Sequence, residues 1–150
     1  TGFCSLNKKA ETKILYSDAE IIDAVINARP TAIAIDAPLS LPRQGHYRKC
    51  DMLVRKAGIP IFSFNLPSLK KLAMRGMAFK KKLQKKLKNL KLIETYPYAT
   101  LRLRKLKIKK RLKKQFKTKH ERDAFICAFV AAAFLKKEAK RFSGGGTIWY

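Results

Sequence analysis

The chain has 150 residues, of which 47% are hydrophobic, and its 35 Lys and Arg residues against 10 Asp and Glu residues give a formal net charge of +25. This length fits one globular domain, and the apolar content excludes a disordered polycation. The longest apolar run covers the 12 residues from Ala124 to Leu135, too few to cross a bilayer, so we expect a cytoplasmic protein without a membrane anchor.

The cysteines indicate no covalent or metal framework. Cys4, Cys50 and Cys127 are an odd number and form no Cys-x-x-Cys pair, so we expect reduced thiols and neither a disulfide network nor a thiolate zinc site. Few Asn and Gln residues beside abundant Lys and Ile are typical of a thermophile-like composition.

The amino-terminal part predicts a hairpin followed by a helix. Two short runs with strand composition, joined by a polar turn, lie at residues 1–7 and 13–17. Ser17 and Glu20 have the spacing of a capping box, which predicts a helix that ends before Pro30.

A strand and a long loop follow. The run Thr31–Ile35 is apolar on both sides, which is typical of a central strand covered on both faces. Residues 37–67 are rich in Pro and Gly, and they contain one short helix predicted over 47–56. Long loops in compact domains usually serve a function.

The second half predicts three helices, two strands and a cationic stretch. A basic helix covers 66–87, a buried strand 91–96, a short helix begins at Pro97, the cationic stretch runs over 105–119, and the last helix covers 119–137. The three glycines at 144–146 predict a flexible linker, which is followed by a terminal edge strand over 147–150.

The positive charge lies mainly in the middle third of the chain. Residues 70–119 hold 21 basic and one acidic residue, whereas residues 1–69 hold nine and six. Such a cation density attracts polyanions and favours nucleic acid, DNA or RNA, as the partner. For the basic helix over 66–87, which is amphipathic, an anionic membrane surface is an alternative partner, although the apolar side of the helix lacks Trp and Tyr. A third interpretation is that this helix packs its apolar side on its own domain and exposes its lysines to solvent. The candidate contacts are Arg43, Arg48, Arg55, Lys80, Lys81, Lys82, Lys109, Lys110 and Arg111.

Five acidic residues are not explained by turns, caps or exposed helix positions. They are Asp36, Asp51, Glu94, Glu121 and Asp123. Ligand sites of open α/β sheets gather at the carboxyl ends of strands. Asp36 and Glu94 can therefore converge there, with Asp123 reaching in from the last helix.

Carboxylates in apolar surroundings need a basic partner or a metal ion. Hard oxygen ligands beside a polycationic surface suit Mg²⁺ or Mn²⁺ and a phosphodiester substrate. Each acid also has a simpler explanation: Asp36 can cap a turn, Glu94 can pair with a lysine, and Glu121 and Asp123 favour the positive end of a helix. His120 is either a metal neighbour and proton shuttle or a surface histidine.

Other catalytic classes lack support in the sequence. The two histidines, His46 and His120, accompany no nucleophile elbow, so triad hydrolysis is not indicated. The glycine run at 144–146 lacks the Lys-Ser/Thr of a phosphate loop, and no zinc-finger or RNA-binding motif is present.

Four blocks occur in an order that resembles a known family. They are Ile35-Asp36-Ala37-Pro38-Leu39-Ser40-Leu41-Pro42, Tyr47-Arg48-Lys49-Cys50-Asp51 with Arg55 and Gly58-Ile59, Glu94-Thr95-Tyr96-Pro97, and His120-Glu121-Arg122-Asp123-Ala124 with Cys127-Ala128. Together they resemble the predicted-nuclease family known as domain of unknown function 429, which is placed in the ribonuclease H-like superfamily.

The resemblance implies a single α/β domain over residues 1–150 with a ribonuclease H-like mixed sheet, an antiparallel hairpin side and helices on both faces. It also implies metal-dependent phosphodiester cleavage, with Asp36, Glu94 and Asp123 as catalytic metal ligands. Glu121 or His120 is then expected to assist proton transfer. This sequence differs from the family pattern in two places. The basic insertion around 98–119 is longer here, and the family's first strand, which bears an acidic residue and would lie ahead of Thr1, is not in this sequence.

Two further functions stay open at this point. In one, the protein binds nucleic acid without catalysis and the acids are structural. In the other, it is a nucleotide-handling or phosphotransfer enzyme, because one fold can host several chemistries.

Overall fold

The computed structural model describes residues 1–7, 9–106 and 116–150, so the predicted nucleic-acid contacts Lys109, Lys110 and Arg111 and most of the cationic stretch lie outside the described residues. Within the described part the chain is an α/β protein with six strands and five helices. In chain order they are β1 Gly2–Leu6, β2 Ala10–Ile14, α1 Asp18–Ala28, β3 Ala32–Ile35, α2 Lys49–Lys56, α3 Pro67–Lys86, β4 Lys91–Thr95, α4 Pro97–Leu103, α5 Lys119–Leu135, β5 Arg141–Ser143 and β6 Thr147–Trp149.

The strands form two separate sheets. β1 and β2 are an antiparallel hairpin whose register places Gly2 opposite Ile14 and Leu6 opposite Ala10. The second sheet is mixed and has the order β3-β4-β6-β5, with β3, β4 and β6 parallel and β5 antiparallel to β6. The second strand of the hairpin begins earlier than its composition predicts, since residues 10–14 alternate between half-buried and exposed side chains.

Two predictions about the position of strands are wrong. Among the described strands β3 stands at an edge of its sheet rather than in the centre, and β6 lies between β4 and β5 rather than at an edge. The glycine run is also no linker but the tight turn between β5 and β6, closed by a 2.8 Å hydrogen bond from the Gly144 N–H to the Gly146 carbonyl. Gly144 and Gly145 have φ angles of 137° and 66°, a region that side chains with a Cβ rarely adopt.

Local sequence signals set the helix ends. The Ser17 hydroxyl accepts a hydrogen bond from the Glu20 N–H at 3.2 Å, which confirms the predicted capping box of α1. Arg29 ends that helix in the left-handed conformation, directly before Pro30. Pro67 and Pro97 stand at the first turns of α3 and α4, where a missing N–H costs nothing.

Helices cover both sides of the β3 region. Ile33 and Ile35 pack against the apolar cluster that α1 and α3 form around Val25, Phe79 and Leu83. Because side chains alternate along a strand, the residues between them face the other side, where α5 packs against β1, β2 and β3. A second cluster joins α2, α4 and β6. Among the described helices none is both long and apolar enough to cross a bilayer.

Candidate functional site

Asp36 and Asp123 come from distant parts of the chain and meet at the same place. Asp36 directly follows β3, and Asp123 lies in the second turn of α5. Both line one large cavity of about 1060 Å³, which is also bordered by His120. The structure therefore brings together two of the three carboxylates that the resemblance implies as metal ligands.

The surroundings of Asp36 disfavour its charged form. The surrounding protein desolvates the carboxyl and raises its pKa to about 6, and the negative charges of Asp123 and, more weakly, Glu94 act in the same direction. Lys119 opposes this effect. Solvent still reaches the Asp36 side chain, because it stands in the wall of the cavity. Asp123 thus adds negative charge near Asp36, which a bound cation would offset.

Asp123 has one close basic neighbour. Its Oδ1 accepts hydrogen bonds from Nε and Nη2 of Arg122 at 3.1 and 2.8 Å, and its side chain is 18% exposed. The neighbouring Arg122 guanidinium is 38% exposed, so this contact lies at the surface. The second carboxylate oxygen, Oδ2, takes no part in it.

Glu94 is held by a buried arginine rather than turned toward Asp36 as a free ligand. Its Oε1 accepts a hydrogen bond from Nη2 of Arg48 at 2.6 Å, and its Oε2 accepts from Nη1 of Arg48 and from the Leu39 N–H, both at 2.8 Å. The residue is only 5% exposed. The basic partner that a buried carboxylate requires is therefore present, and it is an arginine, not a lysine.

Arg48 is the centre of this buried network and not a surface phosphate contact. It is 3% exposed, and its Nε and Nη2 donate to the two oxygens of Asp51 at 3.0 and 2.7 Å. Its Nη1 also donates to the Ser40 hydroxyl at 3.0 Å. Burial acts to lower the pKa of Arg48, but hydrogen bonds and charges from Glu94 and Asp51 outweigh it and raise that pKa above its ordinary value. A guanidinium with all its nitrogens engaged inside the protein is not available to a phosphate.

The glycine turn closes over the same network. The Ser40 hydroxyl donates to the Gly145 carbonyl at 2.7 Å, and the Cys50 N–H donates to the Gly144 carbonyl at 2.9 Å. A Cβ added to Gly146 would lie 2.5 Å from the Ser40 oxygen and 2.8 Å from Nη1 of Arg48. The absence of side chains at Gly145 and Gly146 therefore allows the turn to pack closely against Arg48.

The two residues expected to assist proton transfer have different positions. Glu121 is 6% exposed and caps α5: its Oε2 accepts the N–H groups of Lys117 and Thr118 at 2.8 and 2.9 Å. Glu121 therefore has the role of an acidic residue at the positive end of a helix, which was the simpler explanation of its position in the sequence. His120 is exposed and borders the cavity next to Asp123, so it is the one of the two that solvent and a ligand can reach.

The remaining basic candidates are on the surface. Arg43, Lys81 and Lys82 are exposed, and Lys80 is half-buried. Arg55 is exposed and its guanidinium lies 4.7 Å from the centre of the Tyr47 ring, a cation–π contact that leaves its nitrogens accessible.

Sequence reasoning missed Lys119 and Ser40 as members of the site. Lys119 precedes Asp123 by four residues on one helix, a spacing that places both side chains on the same face. That spacing was a usable signal. Ser40 gave none, because its contact with Arg48 depends on how two loops pack.

The described residues contain no group of three His, Cys, Asp or Glu side chains placed to hold a metal ion. Since Glu94 is bound to Arg48, Asp36 and Asp123 remain of the three carboxylates that the resemblance implies as metal ligands. The thiols that line the cavity remain protonated: burial raises the pKa of Cys4 to about 11 and that of Cys127 well above its ordinary value. A site for a hard cation fits these donors, and a thiolate site does not.

Part of the chain matches a model of a known protein family. Residues 2–68 match the model of a family described as "Protein of unknown function (DUF429)". The match confirms the family resemblance over the segment from β1 to the start of α3, a little under half of the chain, which includes Asp36, Arg48 and Asp51. No curated protein and no solved structure matches this chain.

Proposed function

Taking residues 2–68 as a segment of the DUF429 family, we propose that this protein is a metal-dependent nuclease with a ribonuclease H-like fold that hydrolyses phosphodiester bonds of DNA or RNA. One observation carries the proposal. Two carboxylates from distant parts of the chain line the same cavity, and the most basic of the described helices packs directly against the loop that follows one of them.

The ligands suit Mg²⁺ or Mn²⁺. These ions take oxygen ligands, and Mg²⁺ is commonly held by one or two carboxylates while water and substrate phosphates complete its coordination. Asp36 and Asp123 would supply those carboxylates. Glu94, which is paired with Arg48, would add negative charge near the ion without being a ligand. A divalent ion bound there supplies an activated water and stabilises the leaving oxygen of a phosphodiester.

Helix α3 would guide the nucleic acid to this site. Its 20 residues include eight Lys and Arg and no Asp or Glu. Gly76, in its middle, lets the helix approach the loop after Asp36 so closely that a Cβ there would lie 3.0 Å from the Pro38 carbonyl and 3.2 Å from the Ala37 Cβ. A phosphate backbone bound along the exposed lysines therefore passes beside the acid pair.

The fold class is compatible with this assignment. An antiparallel hairpin, a parallel β3-β4-β6 core and helices on both sides agree with the ribonuclease H-like prediction, but the hairpin is a sheet of its own rather than one side of the mixed sheet. Fold alone does not establish chemistry, so the proposal depends on the acid pair.

The direct test is cleavage of labelled single- and double-stranded DNA and RNA with Mn²⁺, Mg²⁺ or EDTA. We expect cleavage that needs the metal and falls at least 100-fold in Asp36→Asn and in Asp123→Asn. Asp23→Asn, an exposed carboxylate in α1 away from the cavity, is the matched control and should cleave like the wild type. Equal cleavage by all three variants would refute the assignment of the acid pair.

A non-catalytic nucleic-acid-binding protein is the second candidate, and the charge of α3 favours it independently of the acids. In that case binding weakens steeply with salt, no substrate is cut, and both Asp variants bind unchanged or more tightly. Exchanging Lys81 and Lys82 for Gln should reduce the slope of log affinity against log salt by about 2 if both contact phosphates of duplex DNA.

A further inference from the structure

A smaller, shallow pocket lies at one side of α2. It has a volume of about 370 Å³ and is lined by Tyr47, Arg55 and residues 58–61. This volume is near the lower end of what ligand sites enclose. Phe62 directly follows the lining residues and is 64% exposed, so an aromatic ring stands in solvent next to the pocket.

Tyr96 connects this pocket to a second aromatic side chain. Its hydroxyl donates a hydrogen bond to the Pro60 carbonyl at 3.1 Å, and its ring centre lies 6.0 Å from that of Tyr98. Tyr98 belongs to α4 and is 40% exposed. The loop after α2 and the start of α4 therefore form one continuous surface.

Each end of this surface carries a tyrosine with an arginine over its ring. The Arg55 guanidinium lies 4.7 Å from the centre of the Tyr47 ring, and that of Arg102 lies 5.4 Å from the centre of the Tyr98 ring. Both arginines are exposed, and neither takes part in an ion pair within the described part of the chain. We call Tyr47, Arg55, Phe62, Tyr98 and Arg102 the aromatic surface.

The aromatic surface is positively charged. The segments that build it, residues 47–62 and 96–102, contain one acidic residue, Asp51, and that residue is buried. Lys49 and Lys56 are exposed in the same segments. Aromatic rings and guanidinium groups without acidic partners suit a ligand that has both flat rings and negative charge, which is the chemistry of a nucleic-acid strand. A proline-rich peptide also docks on aromatic rings, but it brings no charge to match these cations.

The aromatic surface begins at the edge of the sheet where Asp36 stands. β3 and β4 are parallel with Ile35 opposite Glu94, so Asp36 and Tyr96 each directly follow the carboxyl end of neighbouring strands. Burial raises the pKa of Tyr96, and the negative charge of Asp36 adds to this effect, as expected for groups at one edge. A strand that crosses the aromatic surface can therefore continue to the acid pair.

We propose that the aromatic surface binds single-stranded nucleic acid by stacking unpaired bases on Tyr47, Phe62 and Tyr98. The bases of a duplex are paired and stacked on one another, so aromatic side chains can stack only on bases that are unpaired. As a statement about the substrate, a single strand, this inference rests on the proposed nuclease function. The stacking itself requires no cleavage and can be measured separately.

The test measures binding of the 150-residue chain by fluorescence anisotropy in EDTA, where a metal-dependent reaction cannot proceed. The probes are a labelled thymidine strand of about 12 nucleotides, an abasic strand of the same length and a duplex of the same length. The first two carry the same phosphates and differ only in their bases. We expect the thymidine strand to bind about tenfold or more tightly than the abasic strand.

Variants of two exposed rings locate the stacking. Tyr98→Ala and Phe62→Ala should each weaken binding of the thymidine strand about fivefold or more, the low end of what one base stacked on an aromatic side chain contributes. Their affinity for the abasic strand and the duplex, and the salt dependence of binding, should not change because no charge is removed. Tyr98→Phe keeps the ring and should bind like the wild type. A folding defect would weaken the binding of all three probes and is thereby recognised.

Photo-crosslinking gives a second measurement that needs no variant. A strand carrying iodouracil is irradiated with the unmodified protein, and the crosslinked peptides are identified by mass spectrometry. We expect crosslinks to Tyr47, Phe62 or Tyr98. Crosslinks found only at other residues would overturn the proposal and leave the aromatic surface to a different partner, such as a proline-rich peptide.

The outcomes separate this inference from the nuclease proposal. Equal affinity for the thymidine and abasic strands would overturn the stacking, even if the protein cleaves nucleic acid through Asp36 and Asp123. Base-dependent binding that is lost in Tyr98→Ala and kept in Tyr98→Phe would support the stacking, even if no metal ion produces cleavage.

Discussion

Replacing Glu94 by Gln separates a structural role from a metal-binding role. The carboxylate accepts three short hydrogen bonds, at 2.6, 2.8 and 2.8 Å, two from Arg48 and one from the Leu39 N–H. A glutamine has one acceptor oxygen for these donors, and its NH₂ group faces a donor in place of the other oxygen. Arg48 would then keep a single carboxylate partner, Asp51, at a fully buried position.

The expected loss of stability follows from these contacts. A hydrogen bond to a charged group contributes about 1.5–3 kcal/mol, and breaking a buried ion pair by removing one partner costs about 3–5 kcal/mol. Because Asp51 and one amide oxygen remain, we expect Glu94→Gln to lower the free energy of unfolding by about 2–4 kcal/mol. For a domain of this length that corresponds to a decrease in Tm of about 5–12 °C.

The assay is urea denaturation followed by circular dichroism at pH 7 in the presence of EDTA. Asp23→Asn, an exposed position in α1, is the control and should change stability by less than about 0.5 kcal/mol. If Glu94→Gln is as stable as the wild type in EDTA and differs from it only when Mg²⁺ is added, the reasoning is refuted, since the carboxylate would then serve a metal instead of Arg48.

Three further outcomes are expected, all measured in EDTA. Because the Asp36 pKa is raised to about 6, the folded state loses stability as pH rises through 6, so Asp36→Asn should be more stable than the wild type above pH 7 and equal to it below pH 4. A shift of about two pKa units limits the stability gain of Asp36→Asn to about 3 kcal/mol, and because solvent reaches this carboxyl we expect a gain of about 1 kcal/mol. A stability difference that is the same at all pH values would contradict the pKa shift. Gly146→Ala should cost about 1–3 kcal/mol by collision with Ser40 and Arg48, measured as a lower urea midpoint, and an unchanged midpoint would mean that the turn moves freely. Glu121→Ala should cost about 1–2 kcal/mol through the lost cap, with faster amide exchange in the first turn of α5, and exchange unchanged there would contradict the capping role.

Much of the local structure could be predicted because its determinants are neighbours in sequence. The capping pair Ser17 and Glu20, the proline at the start of α4 and the apolar periodicity of the long helices act over three or four residues. These signals placed the start of every described helix, and the end of the four helices whose end was predicted, to within about two residues. The family resemblance likewise depended on short blocks, and it is confirmed for residues 2–68.

These local signals do not determine the order of the strands in the sheet. An apolar run at β3 is expected for an internal strand, but in the structure the run lines a cavity at one edge of the described sheet. A short final strand after three glycines is expected at an edge, yet β6 lies inside the sheet because the glycine turn folds β5 outside it. Strand order depends on contacts between distant segments, which no local pattern encodes.

The candidate site divides in the same way. By itself the sequence determined which acids are unusual, Asp36, Asp51, Glu94, Glu121 and Asp123, because so few carboxylates occur in a chain of charge +25. Only the tertiary structure decided that Asp36 and Asp123 line one cavity and that Glu94 shares Arg48 with Asp51, whereas Glu121 caps its own helix through contacts within four residues. The physical reason is that a buried charge must be compensated by whatever group the fold places within about 3 Å, and the sequence does not contain that distance.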